Sequence, residues 1–358
     1  MVCPTFLKTP AETFDAIFAA IDAAETKIFF QCYKVQDDIL GQKLRQALTA
    51  KAAAGVKVRV IYDRDSYIQP EWWSSLEYAG GVVIRFHRAW FDHWAHEHTK
   101  CVIVDNTIIC GGCNFQAAWL TGWYDYDIQL EGNIVVEAEA RAHFNSSKYK
   151  ERPEESSVYS APMAYALSSS DQGAEHVDKH LAGLIDKASK HITLASWVFL
   201  PGKAIHKALL NAIKHNVKVT IIVALPKGFE TAPGWGLGVQ GAWKAQRHYL
   251  QGLKAAGANV VACTGKYWHG KALLVDDIIG VFGSYNFNVI EAYTRTSNLS
   301  IATKYQPLLR EARAYHEGLI KLPDFEPLGK PGWADAVWHY GIRAAMFVLK
   351  YLTMLSKC

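Results

Sequence analysis

The sequence predicts an α/β protein made of two tandem, similar halves, followed by an amphipathic C-terminal helix. Three observations predict this. Strand and helix patterns alternate, the alternation runs through the chain twice in one order, and each run ends in the same short set of polar residues.

The first run opens with an amphipathic helix over residues 11–24 and a strand over 27–33. A second helix covers 40–54, with Gly55 as its C-cap, and the alternating β-branched stretch from Val56 to Tyr62 is a strand. The second run repeats this order with a helix over 176–189, a strand over 191–199, a helix over 203–215 and a strand from Val217 to Val223. Gly55-Val-Lys-Val-Arg-Val lines up with Asn216-Val-Lys-Val-Thr-Ile. Leu76-Glu-Tyr-Ala-Gly-Gly-Val lines up with Leu253-Lys-Ala-Ala-Gly-Ala-Asn-Val. The expected organisation is a first half over 1–152, a Pro-, Ser- and acid-rich linker over 153–173, a second half over 174–325 and an apolar tail over 326–358.

Composition narrows the function. The 358 residues are 50% hydrophobic and 20% charged, enough to build cores and too apolar for a disordered chain. A net charge of +4, without a Lys/Arg-rich strip interleaved with aromatics, argues against a nucleic-acid partner and leaves room for phosphates or acidic lipids. Seven cysteines in no repeated framework fit a reducing compartment. Cys110-Gly-Gly-Cys113 has no second pair, so no metal is expected there. No secretory signal is visible, and no apolar run reaches the ~18 residues of a membrane span.

Chemistry concentrates in the repeated constellation. The first copy is His98-Thr-Lys100-Cys-Val-Ile-Val-Asp105, followed by Gly111-Gly112-Cys113-Asn114. The second is His269-Gly-Lys271-Ala-Leu-Leu-Val-Asp276, followed by Gly283-Ser284-Tyr285-Asn286. On extended backbone, residues i and i+2 share a face, so each His and its Lys point the same way. Asp105 and Asp276 lie at odd separations from the histidines, which makes them turn anchors rather than proton partners. If the halves pack face to face, two ammonium groups and two amides converge on one phosphate. One His can then attack phosphorus while the other protonates the leaving oxygen, with no metal or cofactor required.

These motifs resemble the duplicated signature of the phospholipase D superfamily over about residues 5–320, and within it the bacterial cardiolipin synthases. Asp37-Asp38-Ile-Leu-Gly41, Gly111-Gly-Cys-Asn114 and Trp123-Tyr-Asp125 carry the closer likeness. The resemblance implies two α/β halves related by a pseudo-twofold axis and a covalent phosphohistidine. It implies an anionic glycerophospholipid substrate at a membrane, with the protein peripheral on its cytoplasmic face. Phosphatidyl transfer to an alcohol is the expected reaction; hydrolysis to phosphatidic acid and nucleotide phosphodiester cleavage are the alternatives. His98, Lys100 and Asn114 match the first motif, and His269, Lys271, Ser284 and Asn286 the second. No oligomer is needed to complete such a site. The family also places an acid about eleven residues past the motif Asn to orient a His. That position is Asp125 in the first half but Ser297, followed by Asn298, in the second, unless Glu291 substitutes. A His with a carboxylate partner is the better nucleophile, so His98 is expected to attack and His269 to act as general acid.

Three features stay outside this scheme. His93, His96 and His98 lie among Trp90, Phe91 and Trp94, read as an aromatic loop beside a catalytic His rather than a metal cluster. The many tryptophans, Trp72, Trp73, Trp119, Trp123, Trp235, Trp243 and Trp268 among them, fit either packing or a membrane interface, and Gly234 to Trp243 fits a Gly-rich lid. In the tail, Asp335, His339, Arg343 and Lys350 share one helical stripe. The rest is a wide apolar face that suits a membrane interface or packing on the core.

Overall fold

Local sequence signals set the elements of the first half. Thr9 caps a helix over Pro10–Ala23 by accepting from the Glu12 amide, and Pro10 fits the first turn because it lacks an amide hydrogen that would be orphaned there. Asp38 caps the helix Ile39–Ala53 through the amides of Leu40 and Gly41. Its other carboxylate oxygen takes the amide of Ala117, tying this helix start to the loop after Asn114. The computed structural model describes residues 4–86, 96–135, 163–169, 174–225, 237–288 and 296–342, with 138 and 344 in addition.

Strands of the first half are β1 (Thr5–Leu7), β2 (Lys27–Cys32), β3 (Lys57–Asp63), β4 (Val82–Phe86), β5 (Cys101–Val104), β6 (Thr107–Gly111), β7 (Trp123–Tyr124) and β8 (Asp127–Glu131). Those of the second are β9 (Ala164–Ser168), β10 (His191–Ser196), β11 (Lys218–Ala224), β12 (Asn259–Cys263), β13 (Tyr267–Trp268), β14 (Ala272–Val275), β15 (Ile279–Gly283), β16 (Leu299–Thr303) and β17 (Phe325–Pro327). Among the described residues the first sheet runs β1-β8-β6-β5-β2-β3-β4. The second, read in the same sense, runs β9-β16-β15-β14-β10-β11-β12 and adds β17. Each strand of the first sheet has its counterpart, so the duplicated α/β architecture is borne out.

The counterpart of β1 is β9, and this moves a boundary. Residues 164–168 fall in the stretch read as a linker, yet they form the edge strand beside β16, with Leu299 opposite Ser168. The second half therefore begins at its own edge strand rather than at the helix Ala174–Ile185. Residues 153–162 lie outside the described residues. The tail boundary shifts too: β17 pairs Phe325 with Cys263 and Pro327 with Val261, so the first tail residues complete the second sheet. Pro327 can end an edge strand because no neighbour needs its missing donor.

The two sheets meet through β6, β8, β15 and β16. Phe6, Tyr126, Trp268 and Phe282 fill the space between them, joined by Leu308, Leu309, Ala312 and Leu319 of the helix Gln306–Leu319, whereas the helices Pro10–Ala23, Ile39–Ala53, Lys203–Lys214 and Leu237–Ala256 bury their apolar stripes in the other two clusters. A short parallel pairing of Trp123 with Tyr267 and Tyr124 with Trp268 bridges the halves. Trp73, Trp243 and Trp268 are fully buried, which settles packing for these three. Trp243 belongs to a long helix, Leu237–Ala256, so the lid reading fails from Leu237 onward. Ala242, Ala245, Leu250 and Leu253 bury one face of that helix. Trp90, Trp94, Trp235 and His93 lie outside the described residues. No helix among the described residues is long and apolar enough to cross a membrane.

Candidate active site

Both motifs sit at equivalent places. His98 and Lys100 precede β5, and His269 and Lys271 precede β14, the antiparallel neighbours of β2 and β10. They therefore lie at the carboxyl ends of the parallel strands, where α/β sheets commonly place ligands. Lys100 Nζ donates to the His98 carbonyl at 2.7 Å, and Lys271 Nζ to the His269 carbonyl at 2.6 Å. All four side chains are buried, as are Asn114, Ser284 and Asn286. His98 feels the charges of Lys100, Lys271 and His269, and His269 those of Lys271 and Lys100, so the two motifs share one electrostatic field.

Asp105 and Asp276 are placed away from the histidines. Asp105 (φ 49°) accepts from the amides of Glu25, Thr26 and Lys27 and from the Thr26 hydroxyl. Asp276 (φ 51°) accepts from the amides of Ser189, Lys190 and His191 and from the Ser189 hydroxyl. Each ties the turn after its motif strand to the start of the central parallel strand. Left-handed backbone suits Asp better than most side chains.

The orienting partners cross between halves, and this corrects the expected pairing. Asp125, from the first half, accepts from Nδ1 of His269 at 2.9 Å. His98 instead contacts the side-chain oxygen of Asn298, from the second half, through Nδ1 at 3.0 Å. Asn298, not Ser297, is the structural counterpart of Asp125. Gly111 faces Asp127 and Gly283 faces Ser300, so residues 125 and 298 each lie two positions before the matched pair. Ser297 serves through its backbone, its carbonyl taking the His98 amide and its amide donating to His96. Glu291 lies outside the described residues. The carboxylate therefore belongs to His269, not to His98 as expected, and His269 is the ring better prepared to carry positive charge.

The Gly/Ser difference between the motifs follows from this asymmetry. A Cβ on Gly112 would lie 2.2 Å from Asp125 Oδ1, so only glycine leaves room for that carboxylate. Ser284 occupies the equivalent place and donates its hydroxyl to Asn298 Oδ1 at 3.0 Å, while accepting the Leu299 amide. That hydroxyl fixes the amide oxygen toward His98, so Nδ1 of His98 carries its hydrogen and Nε2 its lone pair.

Aromatic rings wall the His269 side. Trp119 and Trp123 stack at 4.1 Å and present their edges to His269, and Trp197 lies 5.6 Å from it. Trp119 Nε1 donates to the same Asp125 oxygen that takes His269 Nδ1. Among the described residues the ring nearest His98 is Tyr33, 5.0 Å away, which also faces the Lys100 ammonium. Sequence reading missed Asn298 as the His98 partner, and also missed Trp119, Trp197 and Tyr33 as site residues. The only available signal was the place of Asn298 directly after the expected acid position.

Burial and the ammonium groups of Lys100 and Lys271 hold His98 well below the usual imidazole range. Burial, then Lys271, lower His269 to about 4 against the opposing pull of Asp125. Burial resists ionisation of Asp125, but the His269 ring, Lys271 and Trp119 outweigh it and keep its carboxyl below the usual range. Both rings are thus neutral, with Nε2 lone pairs available. His316, buried on Tyr126 and the Ala312 carbonyl, is likewise lowered to about 4.

These three imidazoles predict an acid limb in stability. Once unfolded, each binds a proton near pH 6.5, whereas folded His269 and His316 stay neutral down to about 4 and folded His98 is held well below the usual imidazole range. Their contribution is complete above pH 6.5 and is lost as pH falls toward 4, at up to about 1.4 kcal/mol per pH unit per ring. Urea unfolding at pH 7.5, 6 and 5 will show the free energy falling across that window with proton uptake on unfolding. A flat profile would remove the burial argument.

Asp63, Asp65 and His96 bring ligand-type atoms within 4.8 Å of one another. Asp63 already accepts from the amides of Glu97 and Asp65, and His96 pairs with both carboxylates at 3.4 and 3.5 Å. Arg64 also lies 3.6 Å from Asp65. The group is accounted for as an ion-paired turn.

Fold and site together place the chain among the duplicated phospholipase D-like proteins. Its sequence matches the family described as cardiolipin synthase, PLD-like domain, over residues 17–147 and 181–319, and it belongs to that family. Cardiolipin synthase A of Pseudomonas putida (strain GB-1) is 28% identical over 77% of this chain and 60% of its own length. The major cardiolipin synthase ClsA of Bacillus subtilis (strain 168) is 27% identical over 78% and 61%. The chain thus spans about 60% of the length of these curated relatives. A phosphatidylserine synthase from Haemophilus influenzae Rd KW20 shares the fold, with a TM-score of 0.73 at 14% identity over 98% of this chain and 95% of that one.

Proposed function

We propose that the chain is a transphosphatidylase of the cardiolipin-synthase type, acting on an anionic glycerophospholipid at a membrane surface. One observation carries the reading. Two buried His/Lys pairs share one field, and each imidazole is oriented through Nδ1 by a residue from the opposite half. That geometry frees both Nε2 atoms for phosphorus chemistry and needs no oligomer.

In the first step His269 Nε2 attacks the phosphodiester phosphorus, the bond to the headgroup oxygen breaks, and His98 gives its proton to that oxygen. His98 acquires the proton when the substrate's negative charge enters the field that had kept the ring neutral. Asp125 stabilises the positive charge on the phosphorylated ring. Lys100, Lys271, Asn114 and Asn286 hold the phosphate oxygens, and Ser284 fixes Asn298. In the second step an alcohol loses its proton to His98 and attacks phosphorus, and the P–N bond breaks to restore His269. With phosphatidylglycerol as donor and acceptor the products are cardiolipin and glycerol. The buried cysteines Cys32, Cys110, Cys113 and Cys263 support a reducing compartment and hence a cytoplasmic face.

Mass spectrometry of lipids after the protein meets phosphatidylglycerol vesicles tests this. Cardiolipin plus glycerol, absent with His269→Ala, is the expected result. Phosphatidic acid alone would make water the acceptor, and no product would overturn the lipid reading for this donor.

A further inference from the structure

The tail helix over 333–342 is docked inside out. A surface helix ordinarily buries its apolar stripe and shows its polar one. Here the polar stripe faces the protein: Asp335 is 2% exposed and His339 is 7% exposed. Asp335 pairs with Arg247 at 3.3 Å and takes the Gly332 amide, while the His339 ring lies against His248 and Tyr249. Trp338 lies over Gly241, where a Cβ would come within 2.3 Å of the indole, and Ile342 packs on the core. The outward face carries Trp333, Val337 and Tyr340, at 83%, 61% and 64% exposed. Their i, i+4, i+7 spacing makes one continuous apolar stripe.

We infer that this outward stripe seats in the interfacial layer of a lipid bilayer and holds the active site against it, an inference that rests on the proposed lipid substrate. Three features favour lipid over a second protein surface. Trp and Tyr are the side chains that settle best where headgroups meet acyl chains. From residue 330 onward the sequence carries Lys330, Arg343, Lys350 and Lys357, and its one acid there, Asp335, is already paired with Arg247, so the excess charge suits an anionic surface. The supporting helix also reaches the site. Gly241 beneath Trp338 and Trp243 belong to the same helix, Trp243 meets Trp197 at 5.8 Å, and Trp197 meets His269.

The test is sedimentation of the full chain with vesicles of equal parts phosphatidylglycerol and phosphatidylcholine, beside the triple variant W333S/V337S/Y340S. These side chains are mostly solvated, so the fold tolerates the changes. Partitioning of the variant is expected to fall by about tenfold or more. Its turnover of a short-chain phosphatidylglycerol below its micelle concentration should match wild type. Equal sedimentation of both proteins overturns the inference. So does a wild-type dimer in ultracentrifugation that the triple variant dissolves, which would assign the stripe to a second copy. Loss of short-chain turnover in the wild type itself would instead count against the proposed reaction and leave the binding result standing.

Discussion

With bis(p-nitrophenyl) phosphate as substrate, His98→Ala releases about one equivalent of p-nitrophenol per chain and stops, while His269→Ala releases none. The activated leaving group departs without a general acid, so removing His98 spares the first step and blocks the second. Removing His269 removes the nucleophile. On a lipid headgroup, whose alkoxide leaves poorly, both variants lose on the order of 10³-fold or more. The assignment rests on which ring better carries a positive charge. Attack through Nε2 leaves the imidazole cationic, and Asp125 lies 2.9 Å from Nδ1 of His269. At about 4 Å and an effective dielectric near 20, a full opposite charge is worth about 4 kcal/mol. Asn298 offers His98 only a neutral amide oxygen. The adduct should therefore map, under alkaline digestion, to the peptide containing His269. A burst from His269→Ala and none from His98→Ala would return the nucleophile to His98.

The parts of this site legible in sequence are those encoded locally. The His-x-Lys pairs follow from the two-residue period of extended backbone. The turn role of Asp105 and Asp276 follows from their odd spacing, and the repeat itself gave the two sheets. What stayed hidden depends on how the halves meet. Nothing in the sequence around Asp125 says that it faces a ring 144 residues away rather than the one 27 residues before it. The place of Asn298 depends on register, since Ser300 opposite Gly283 puts residue 298 level with 125. The same limit hid β9. Ala164-Tyr-Ala-Leu-Ser168 is short, preceded by Pro162 and followed by serines, and only its pairing with β16 makes it a strand. The tail helix shows the converse failure. Its polar stripe was legible, but the usual assumption about which stripe faces solvent is reversed by Arg247 and His248 on the helix beneath.

Exchanging the two orienting residues moves the adduct from one half of the chain to the other. Asp125→Asn alone should lower turnover by about 10³-fold or more, for two reasons that act together. The ring loses its counter-charge, and the amide cannot satisfy its neighbours. In the native protein every donor there points at a carboxylate: His269 Nδ1 and Trp119 Nε1 at Oδ2, and the Tyr126 amide at Oδ1. An amide must turn its NH₂ toward one of these sites. Turned toward His269, it makes Nδ1 an acceptor and puts the ring hydrogen on Nε2, where the lone pair is needed. Asn298→Asp supplies the missing charge on the other side, and Ser284 still donates to it. In the double variant His98 holds the carboxylate and His269 the amide, so the covalent peptide should now be the one containing His98, with turnover partly recovered over Asp125→Asn. Asp and Asn are nearly isosteric, but Asn298→Asp gives up the Nδ2 donation to the Thr296 carbonyl, and thermal unfolding curves of each variant will separate that loss from the change of nucleophile. If Asp125→Asn keeps turnover within tenfold of wild type, the carboxylate does not choose the nucleophile. If the double variant recovers but still labels His269, the choice is made by the aromatic wall of Trp119, Trp123 and Trp197 rather than by charge.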